Sequence, residues 1–323
     1  MDKIGLSLEW FVNVDHVPIL AGLNNGFFED EGIDLQLVEP VNHEAGMELV
    51  AAGKLDFAIT EPIHLPGVVA SGSSGSGSDD SDGLPIVAVG KYFETGFGIL
   101  VKSEIINSPR DLKGKTIAAP LGVYAPIIVR HMARYDGIEE ELLDKDLEFR
   151  NVGYYLVDAL AKGKADAAFA AFENYEMVEA SLRGLKTKLL KFTDYGVPSY
   201  GYLVFVTHKQ NVKDEGGKDI IRRFLRAVSK SVDYTLKEKE EALSSFLEIA
   251  PLLDNELTRK AYSATLKCYR TDTSLQLEEW ERLAEFANRA GLIFGGNSSQ
   301  HSRTTIATRV TGKKLIANSE HLR

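Results

Sequence analysis

The sequence predicts an α/β protein of two lobes, each a mostly parallel sheet flanked by helices, with two hinge crossings joining them. Three observations support this prediction. The length of 323 residues exceeds the size at which a single hydrophobic core usually stops growing. A strand–helix–strand–helix–strand pattern, the unit of a parallel sheet, begins the chain. The same pattern recurs in the middle of the chain.

The first pattern occupies residues 3–60. Residues 17–25 are apolar enough for a buried helix, and Gly26 follows where helices commonly end in a left-handed conformation. A second helix is predicted over residues 44–52 and ends at Gly53. The predicted strands around these helices cover residues 3–10, 33–38 and 57–60.

The second pattern has the same turn before its third strand. The turn reads Gly53-Lys54-Leu55-Asp56 in the first pattern and Gly163-Lys164-Ala165-Asp166 in the second. This match predicts two similarly built lobes, although glycine and aspartate favour turns in any α/β protein. The predicted strands of the second pattern cover residues 115–119, 147–152 and 167–172, and its helices cover 124–135 and 155–161.

The remaining segments predict how the chain is divided. Residues 86–102 lead into the second lobe, and a strand over 201–207 returns to the first. Helices are predicted over residues 219–238, 240–250, 255–267 and 277–290. We therefore expect lobe I at residues 1–93 and 203–296, lobe II at 94–202, a disordered loop insertion at 71–83 and a flexible tail at 297–323. An interdomain linker is the alternative for residues 71–83.

Composition excludes several classes of function. The net charge of −10 argues against nucleic acid as the main partner, because phosphate binding needs a basic face. Cys268 is the single cysteine, so neither an internal disulfide nor a cysteine-rich metal site is expected. No membrane span is predicted. No secretory signal is visible, so we expect a cytoplasmic protein, or a periplasmic or extracellular one if a signal has been removed.

Candidate ligand-binding residues in the first lobe follow its strands, because ligands of open α/β sheets bind beyond the carboxyl ends of the strands. Trp10 offers a flat face for stacking, and Glu9 accepts hydrogen bonds. Thr60 and His64 follow the third strand. A tryptophan in the core and a structural, hydrogen-bonded histidine are the alternatives.

Candidate residues in the second lobe occupy equivalent positions. Gly122, Val123 and Tyr124 form a strand-to-helix turn whose backbone N–H groups favour a phosphate or carboxylate. Glu173 follows the third strand and can accept two N–H donors from an aminopyrimidine-like edge, with a helix cap as the alternative. Tyr200 lies near the return crossing and would add a lid or a second stacking face.

The sequence offers little catalytic equipment. It contains neither a phosphate-binding Gly-x-x-x-x-Gly-Lys-Ser/Thr motif nor a dinucleotide-binding Gly-x-Gly-x-x-Gly motif. Its histidines lack metal-ligand spacing, and no Ser-His-Asp or Cys-His set emerges. The prediction is therefore a binder with no metal and no cofactor.

The chain resembles the thiamine-pyrimidine family, which comprises bacterial binding proteins for thiamine-precursor pyrimidines and fungal hydroxymethylpyrimidine phosphate synthases. More distantly it resembles the SsuA-like alkanesulfonate-binding proteins. The resemblance covers about residues 3–270 and implies the type II periplasmic-binding-protein fold and a thiamine-related ligand. It rests on Trp10, His16-Val17-Pro18-Ile19, Gly26-Phe27-Phe28, Glu31-Gly32-Ile33-Asp34, Glu39-Pro40, Gly53-Lys54-Leu55-Asp56, Ile63-His64, Asp111-Leu112-Lys113-Gly114-Lys115 and Gly163-Lys164-Ala165-Asp166.

The resemblance carries over to catalysis only in part. In the synthases, a lysine four residues before the histidine holds pyridoxal phosphate, and a cysteine-rich stretch is linked to iron. Here the histidine is His64, but the lysine position is Thr60, and residues 196–201 contain no cysteine. Thr60 cannot form a Schiff base.

The leading hypothesis is a non-catalytic binder of a pyrimidine-type thiamine precursor held in the interlobe cleft. By resemblance, Trp10 would stack on the pyrimidine and Glu173 would bind its amino edge. The alternatives are a hydroxymethylpyrimidine phosphate synthase that uses His64 and pyridoxal phosphate, and a sensor or scaffold that has lost the ligand. The partners considered are a small molecule, an ABC transporter permease if the protein is exported, and a second copy of the chain in a homodimer.

Overall fold

The computed structural model describes residues 1–42, 44–70, 83–120, 124–138, 147–200, 202–293 and 311–317. The strands in chain order are β1 (Asp2–Ser7), β2 (Ile33–Val38), β3 (Phe57–Thr60), β4 (Ile86–Glu94), β5 (Phe97–Lys102), β6 (Thr116–Ala119), β7 (Glu148–Asn151), β8 (Ala167–Phe172), β9 (Thr187–Lys191) and β10 (Tyr202–His208).

The helices alternate with these strands and then dominate the C-terminal third. They are α1 (Val17–Asn24), α2 (Phe27–Asp30), α3 (Ala45–Ala51), α4 (Leu65–Ala70), α5 (Tyr124–Tyr135), α6 (Leu156–Ala161), α7 (Glu176–Leu182), α8 (Glu215–Lys237), α9 (Lys239–Ile249), α10 (Glu256–Thr265), α11 (Leu277–Ala290) and α12 (Gly312–Leu315). Short 3-10 helices at Val14–His16 and Pro62–His64 lead into α1 and α4.

The chain divides into two compact units. Unit 1 comprises Met1–Glu94, Tyr202–Thr258 and Leu266–Arg323, and unit 2 comprises Thr95–Gly201 and Arg259–Thr265. The chain therefore leaves unit 1 after β4, returns to it at β10, and enters unit 2 once more over Arg259–Thr265. The described strands form two five-stranded sheets, one in each unit.

The two sheets have equivalent strand orders. The order is β2-β1-β3-β10-β4 in unit 1 and β7-β6-β8-β5-β9 in unit 2. In unit 1, β1 pairs in parallel with β2 and β3, whereas β10 is antiparallel to both β3 and β4. In unit 2, β6 pairs in parallel with β7 and β8, whereas β5 is antiparallel to both β8 and β9. Four strands of each sheet thus share one direction, which confirms the predicted mostly parallel α/β architecture.

The repeated Gly-Lys-x-Asp turn forms equivalent hydrogen bonds in both units. Gly53 and Gly163 both adopt left-handed φ angles, 67° and 65°, after α3 and α6. The carboxylate of Asp56 accepts the Gly5 N–H of β1 at 2.8 Å, and that of Asp166 accepts the Thr116 N–H of β6 at 3.0 Å. Each aspartate therefore joins the turn before the third strand to the backbone of the first strand.

Aromatic side chains fill the core between the sheet of unit 1 and α8. The rings of Phe57 and Phe224 stack with centroids 4.3 Å apart, and Phe205 meets Phe224 edge-on at 4.9 Å. All three side chains are buried, and each contributes about 1.5–3 kcal/mol relative to an exposed position. One hydrophobic cluster of unit 2 is built from smaller side chains, chiefly alanine, leucine and valine from β5, β6, α6 and β8.

Some predicted elements differ from the structure. The segment over 92–102 is divided between β4 and β5, because Thr95 and Gly96 interrupt the strand. Strand β9 was not predicted; it lies at the edge of its sheet, and only one of its five residues is buried. Residues 71–82 of the predicted loop lie outside the described residues.

A short part of the predicted flexible tail is packed. Leu315 and Ile316 are buried, and the Ala317 N–H donates to the Ala88 carbonyl of β4 at 2.8 Å. Here an apolar run follows two lysines, Lys313 and Lys314, and pairs with the free edge of β4. No helix within the described ranges is both long enough and apolar enough to cross a lipid bilayer.

Candidate functional site

Four predicted ligand-binding residues lie beyond one edge of the sheet of unit 1. Glu9 and Trp10 follow β1, Thr60 is the last residue of β3, and His64 ends the 3-10 helix after β3. Because β1 and β3 are neighbouring parallel strands, their carboxyl ends meet at the same edge. The pattern of strand ends therefore brings these four residues to one region of unit 1.

Glu9 is held by a buried histidine that the sequence prediction did not include in the site. Its two carboxylate oxygens lie 3.1 and 3.0 Å from His16 Nε2, and both side chains are buried. When the ring is neutral, its Nδ1 accepts the Asn13 N–H at 3.2 Å, so Nε2 carries the proton that faces Glu9. Burial lowers the pKa of His16, but Glu9 and other nearby carboxylates outweigh this effect and raise it above 6.5.

Tyr92 of β4 adds a buried hydroxyl to unit 1. This hydroxyl has no hydrogen-bond partner among the described residues. Burial, with the nearby charges of Glu9 and Asp15, raises the pKa of Tyr92 well above its usual value, so the phenol stays protonated. The Glu9 carboxylate therefore lies in the protein interior, where it is paired with His16.

Trp10 lies directly after this buried pair. Its side chain is 7% exposed, and its ring centroid is 4.5 Å from that of Phe11, which is 37% exposed. The Glu9–His16 pair joins the segment that carries Trp10 to the start of α1, because His16 ends the 3-10 helix and is the N-cap residue of α1. A ligand that stacks on Trp10 would therefore contact a ring whose backbone is held by the buried Glu9–His16 pair.

His64 is anchored through one ring nitrogen. Its Nδ1 lies 3.2 Å from Thr60 Oγ1 and 3.2 Å from Glu61 Oε2. Thr60 is fully buried and Glu61 is 5% exposed, whereas the side chain of His64 is 15% exposed. Pro62 at the first position of the 3-10 helix sets the turn that brings His64 back over Thr60. The hydroxyl of Thr60 is therefore within hydrogen-bond distance of His64.

The end of β8 carries the acidic candidate of unit 2. Ala170 has a φ of +68°, unusual for a residue with a Cβ, and it is the extra residue where the β5–β8 register shifts. This β-bulge redirects the strand just before Glu173. The Glu173 N–H donates to the Gly96 carbonyl at 2.8 Å, which ties the strand end to the start of β5.

The Glu173 carboxylate is accessible, in contrast to Glu9. Its Oε2 lies 3.2 Å from Lys191 Nζ, with the two side chains 35% and 42% exposed. A Cβ at position 96 would collide with the same oxygen, so the glycine there leaves room for the Glu173 carboxylate in this position. The next residue, Asn174, is buried between the hydroxyls of Thr95 and Thr265, each 2.9 Å from its amide.

Tyr200 forms part of a pocket of about 190 Å³ within unit 2. Its ring stacks on Phe192 with centroids 5.7 Å apart and meets Phe97 edge-on at 5.5 Å. The pocket is lined by Thr95, Gly96, Phe97, Lys191, Phe192, Thr193, Pro198, Ser199 and Tyr200. Tyr124 is buried at the start of α5, whereas Gly122 and Val123 lie outside the described residues.

Among the described residues, no group of three or more histidine, cysteine, aspartate or glutamate side chains could hold a metal ion. Sequence reasoning missed two residues that the structure joins to the candidates, His16 beside Glu9 and Lys191 beside Glu173. The spacing of seven residues between Glu9 and His16 is no recognised motif, and Lys191 lies on the strand that was not predicted.

Several proteins similar to this chain have names that refer to thiamine biosynthesis or to its pyrimidines. A Haemophilus influenzae protein named for thiamine biosynthesis is 28% identical over 90% of this chain and 88% of the relative. The formylaminopyrimidine-binding protein of Halalkalibacterium halodurans is 26% identical over 76% of this chain and 70% of that protein. The 4-amino-5-hydroxymethyl-2-methylpyrimidine phosphate synthase THI5 of Saccharomyces cerevisiae is 24% identical over 90% of this chain and 84% of the synthase.

Solved structures confirm the predicted fold, and a family model gives the family. The alkanesulfonate-binding protein SsuA of Xanthomonas axonopodis, bound to MOPS, superimposes with a TM-score of 0.66 at 15% identity, covering 90% of this chain and 94% of SsuA. This likeness shows the type II periplasmic-binding-protein fold. The model of the family described as NMT1/THI5 like matches residues 13–242, well over half of the chain. The chain therefore belongs to the NMT1/THI5-like family.

Proposed function

We propose that this protein binds a small pyrimidine-type thiamine precursor without transforming it. The observation that carries the proposal is the half-exposed Glu173 carboxylate at the end of β8, an acceptor suited to the amino group of a pyrimidine. The fold of binding proteins and the relative named as a formylaminopyrimidine-binding protein support it.

The residues proposed to bind the ligand are those predicted from the sequence, with one change of role. Trp10, Thr60, His64, Gly122, Val123, Tyr124, Glu173 and Tyr200 stay in the proposed site. Because the Glu9 carboxylate is occupied by His16, we propose that Glu9 positions Trp10 rather than contacting the ligand.

Calorimetric titration with 4-amino-5-hydroxymethyl-2-methylpyrimidine tests the proposal, with taurine as the sulfonate comparison. We expect the pyrimidine to bind and Glu173→Gln to weaken its binding about tenfold, because the oxygen that accepts the hydrogen bond loses its charge. Glu104→Gln is the matched control, because Glu104 pairs with Lys186 on the same unit but is 65% exposed. If the wild-type protein binds taurine but shows no binding of the pyrimidine, the proposal is wrong.

A synthase reaction is the second candidate, favoured by the similarity to proteins named as hydroxymethylpyrimidine phosphate synthases and by His64. The residues at the equivalent positions do not fit pyridoxal phosphate held as a Schiff base, since Thr60 has no amine and is bonded to His64. Residues 196–201 offer no cysteine for iron. Incubation with pyridoxal phosphate, borohydride reduction and peptide mapping separates the two candidates, because a stoichiometric lysine adduct would favour the synthase.

The proposed partner depends on where the protein is located. If it is exported, an ABC transporter permease would receive the ligand, as for the import proteins among the solved structures. Cell fractionation of the native source, followed by immunodetection, tests this part of the proposal. Recovery in the cytoplasmic fraction alone would contradict a permease partner.

A further inference from the structure

The pair formed by Glu173 and Lys191 offers hydrogen-bonding capacity that the described protein does not use. Lys191 Nζ carries three donors, and the described residues engage it only through Glu173 Oε2. The second carboxylate oxygen, Glu173 Oε1, accepts no hydrogen bond from the described part of the chain. An unused acceptor therefore lies beside unused donors, at two side chains that solvent can reach.

The position of this pair is set by the backbone around it. Glu173 is fixed through its N–H to Gly96, and Asn174 behind it is buried and bonded on both sides of its amide. Lys191 is held by its strand, because β5 lies between β8 and β9 and pairs Gly98 with Lys191. The two charged groups thus lie together at the carboxyl ends of β8 and β9, with β5 between the two strands.

An acceptor next to a donor is complementary to a ligand edge that has a donor next to an acceptor. A 4-aminopyrimidine has such an edge, since its exocyclic amino group lies beside a ring nitrogen with a lone pair. A sulfonate has only acceptors, and its charge would face the Glu173 carboxylate. Gly96 and Lys191 also line the pocket whose wall is formed by Phe97, Phe192 and Tyr200, which suits a flat ring.

We infer that Lys191 is a specificity-determining residue that donates to the ring nitrogen beside the amino group bound by Glu173. This inference rests on the proposed function and names the ligand edge that the site reads. The site selects aminopyrimidines over amines that lack the adjacent acceptor. Binding of such an amine would remove water from the Lys191 ammonium group without supplying a new hydrogen-bond acceptor.

The test is a cycle of two ligands and two proteins measured by calorimetric titration. The ligands are 4-amino-5-hydroxymethyl-2-methylpyrimidine and 2-amino-4-methylbenzyl alcohol, in which carbons replace both ring nitrogens. We expect the wild-type protein to prefer the pyrimidine by at least about tenfold, and Lys191→Met to reduce that preference several-fold. Lys191→Arg, which keeps a donor, should retain most of it.

Lys186→Met is the matched control, because Lys186 forms a comparable ion pair with the exposed Glu104 in the same unit. It should leave the preference unchanged, and unfolding midpoints of all variants establish that each protein is folded. Wild-type binding with a preference that Lys191→Met does not alter overturns this inference alone. Absence of pyrimidine binding by the wild-type protein overturns the proposed function and this inference with it.

Discussion

The two units share a sheet but differ in the polar side chains that follow their strands. In unit 1, the carboxylate of Glu9 is sealed against His16, and both are buried. In unit 2, the carboxylate of Glu173 is paired with Lys191, and both remain about a third or more exposed. The strand order and the Gly-Lys-x-Asp turn are the same in both units. The two units therefore share their backbone architecture. They differ in the exposure of the acidic side chain, which is structural in unit 1 and accessible to a ligand in unit 2.

The largest expected effect is the loss of folding stability when Glu9 is replaced. Glu9→Ala leaves His16 buried without its carboxylate and should lower the free energy of unfolding by about 3–5 kcal/mol. Glu173→Ala removes a partly exposed ion pair and should cost less than about 1 kcal/mol. Urea denaturation of both variants measures the difference. Equal losses would show that the two carboxylates are not as different as their burial indicates.

The repeated turn gives the next largest effect. Asp56→Ala and Asp166→Ala each remove a carboxylate that accepts a backbone N–H of the first strand. We expect each to lower the free energy of unfolding by about 1.5–3 kcal/mol, by similar amounts in the two units. Lys54→Ala and Lys164→Ala, in the same turns, are the controls and should cost little. A large effect at only one aspartate would argue against equivalent roles.

The β-bulge in β8 has no counterpart among the positive φ angles of β3, and its strain can be relieved. Ala170→Gly removes the Cβ from a left-handed conformation and should raise the free energy of unfolding by about 0.5–1 kcal/mol. Ala168→Gly, in the regular part of the same strand, should instead destabilise. Thermal unfolding of the two variants checks this, and a loss of stability in both would rule out strain at Ala170.

The smallest effect concerns the pH dependence of stability. Because the pKa of His16 is raised on folding, its contribution is complete below about pH 6.5, the unfolded value, and is lost as the pH rises through the folded value. In Glu9→Gln, burial prevails over the remaining carboxylates and lowers the pKa of His16. Its contribution to stability should then increase with pH. Comparing unfolding free energies between pH 6 and 8.5 gives the sign, and parallel curves would exclude this role for Glu9.

Local patterns predicted much of the fold. Strands β2 and β3 and helix α11 have the predicted bounds, because each combines a clear apolar pattern with a glycine or helix-breaking boundary. Strand β9 was missed since it is a half-buried edge strand between two short elements, with little apolar patterning.

The candidate site was predicted less completely, for a physical reason. Strand ends indicate which side chains lie beyond a sheet, and this was enough to single out Glu9, Trp10, Thr60, His64 and Glu173. Pairing partners depend on the order of the strands. Lys191 reaches Glu173 only because β5 inserts between β8 and β9, and no local feature of the sequence encodes that insertion.

The place of β10 in its sheet has a consequence for the order of assembly during synthesis. This strand joins β3 to β4, yet it follows every strand of unit 2 in the chain. On the ribosome, the N-terminal sheet must wait with an unfilled central position while residues 97–191 emerge and complete their own sheet without interruption. The part translated first thus finishes last, and a nascent chain halted before Tyr202 would expose the apolar edges of β3 and β4 to aggregation.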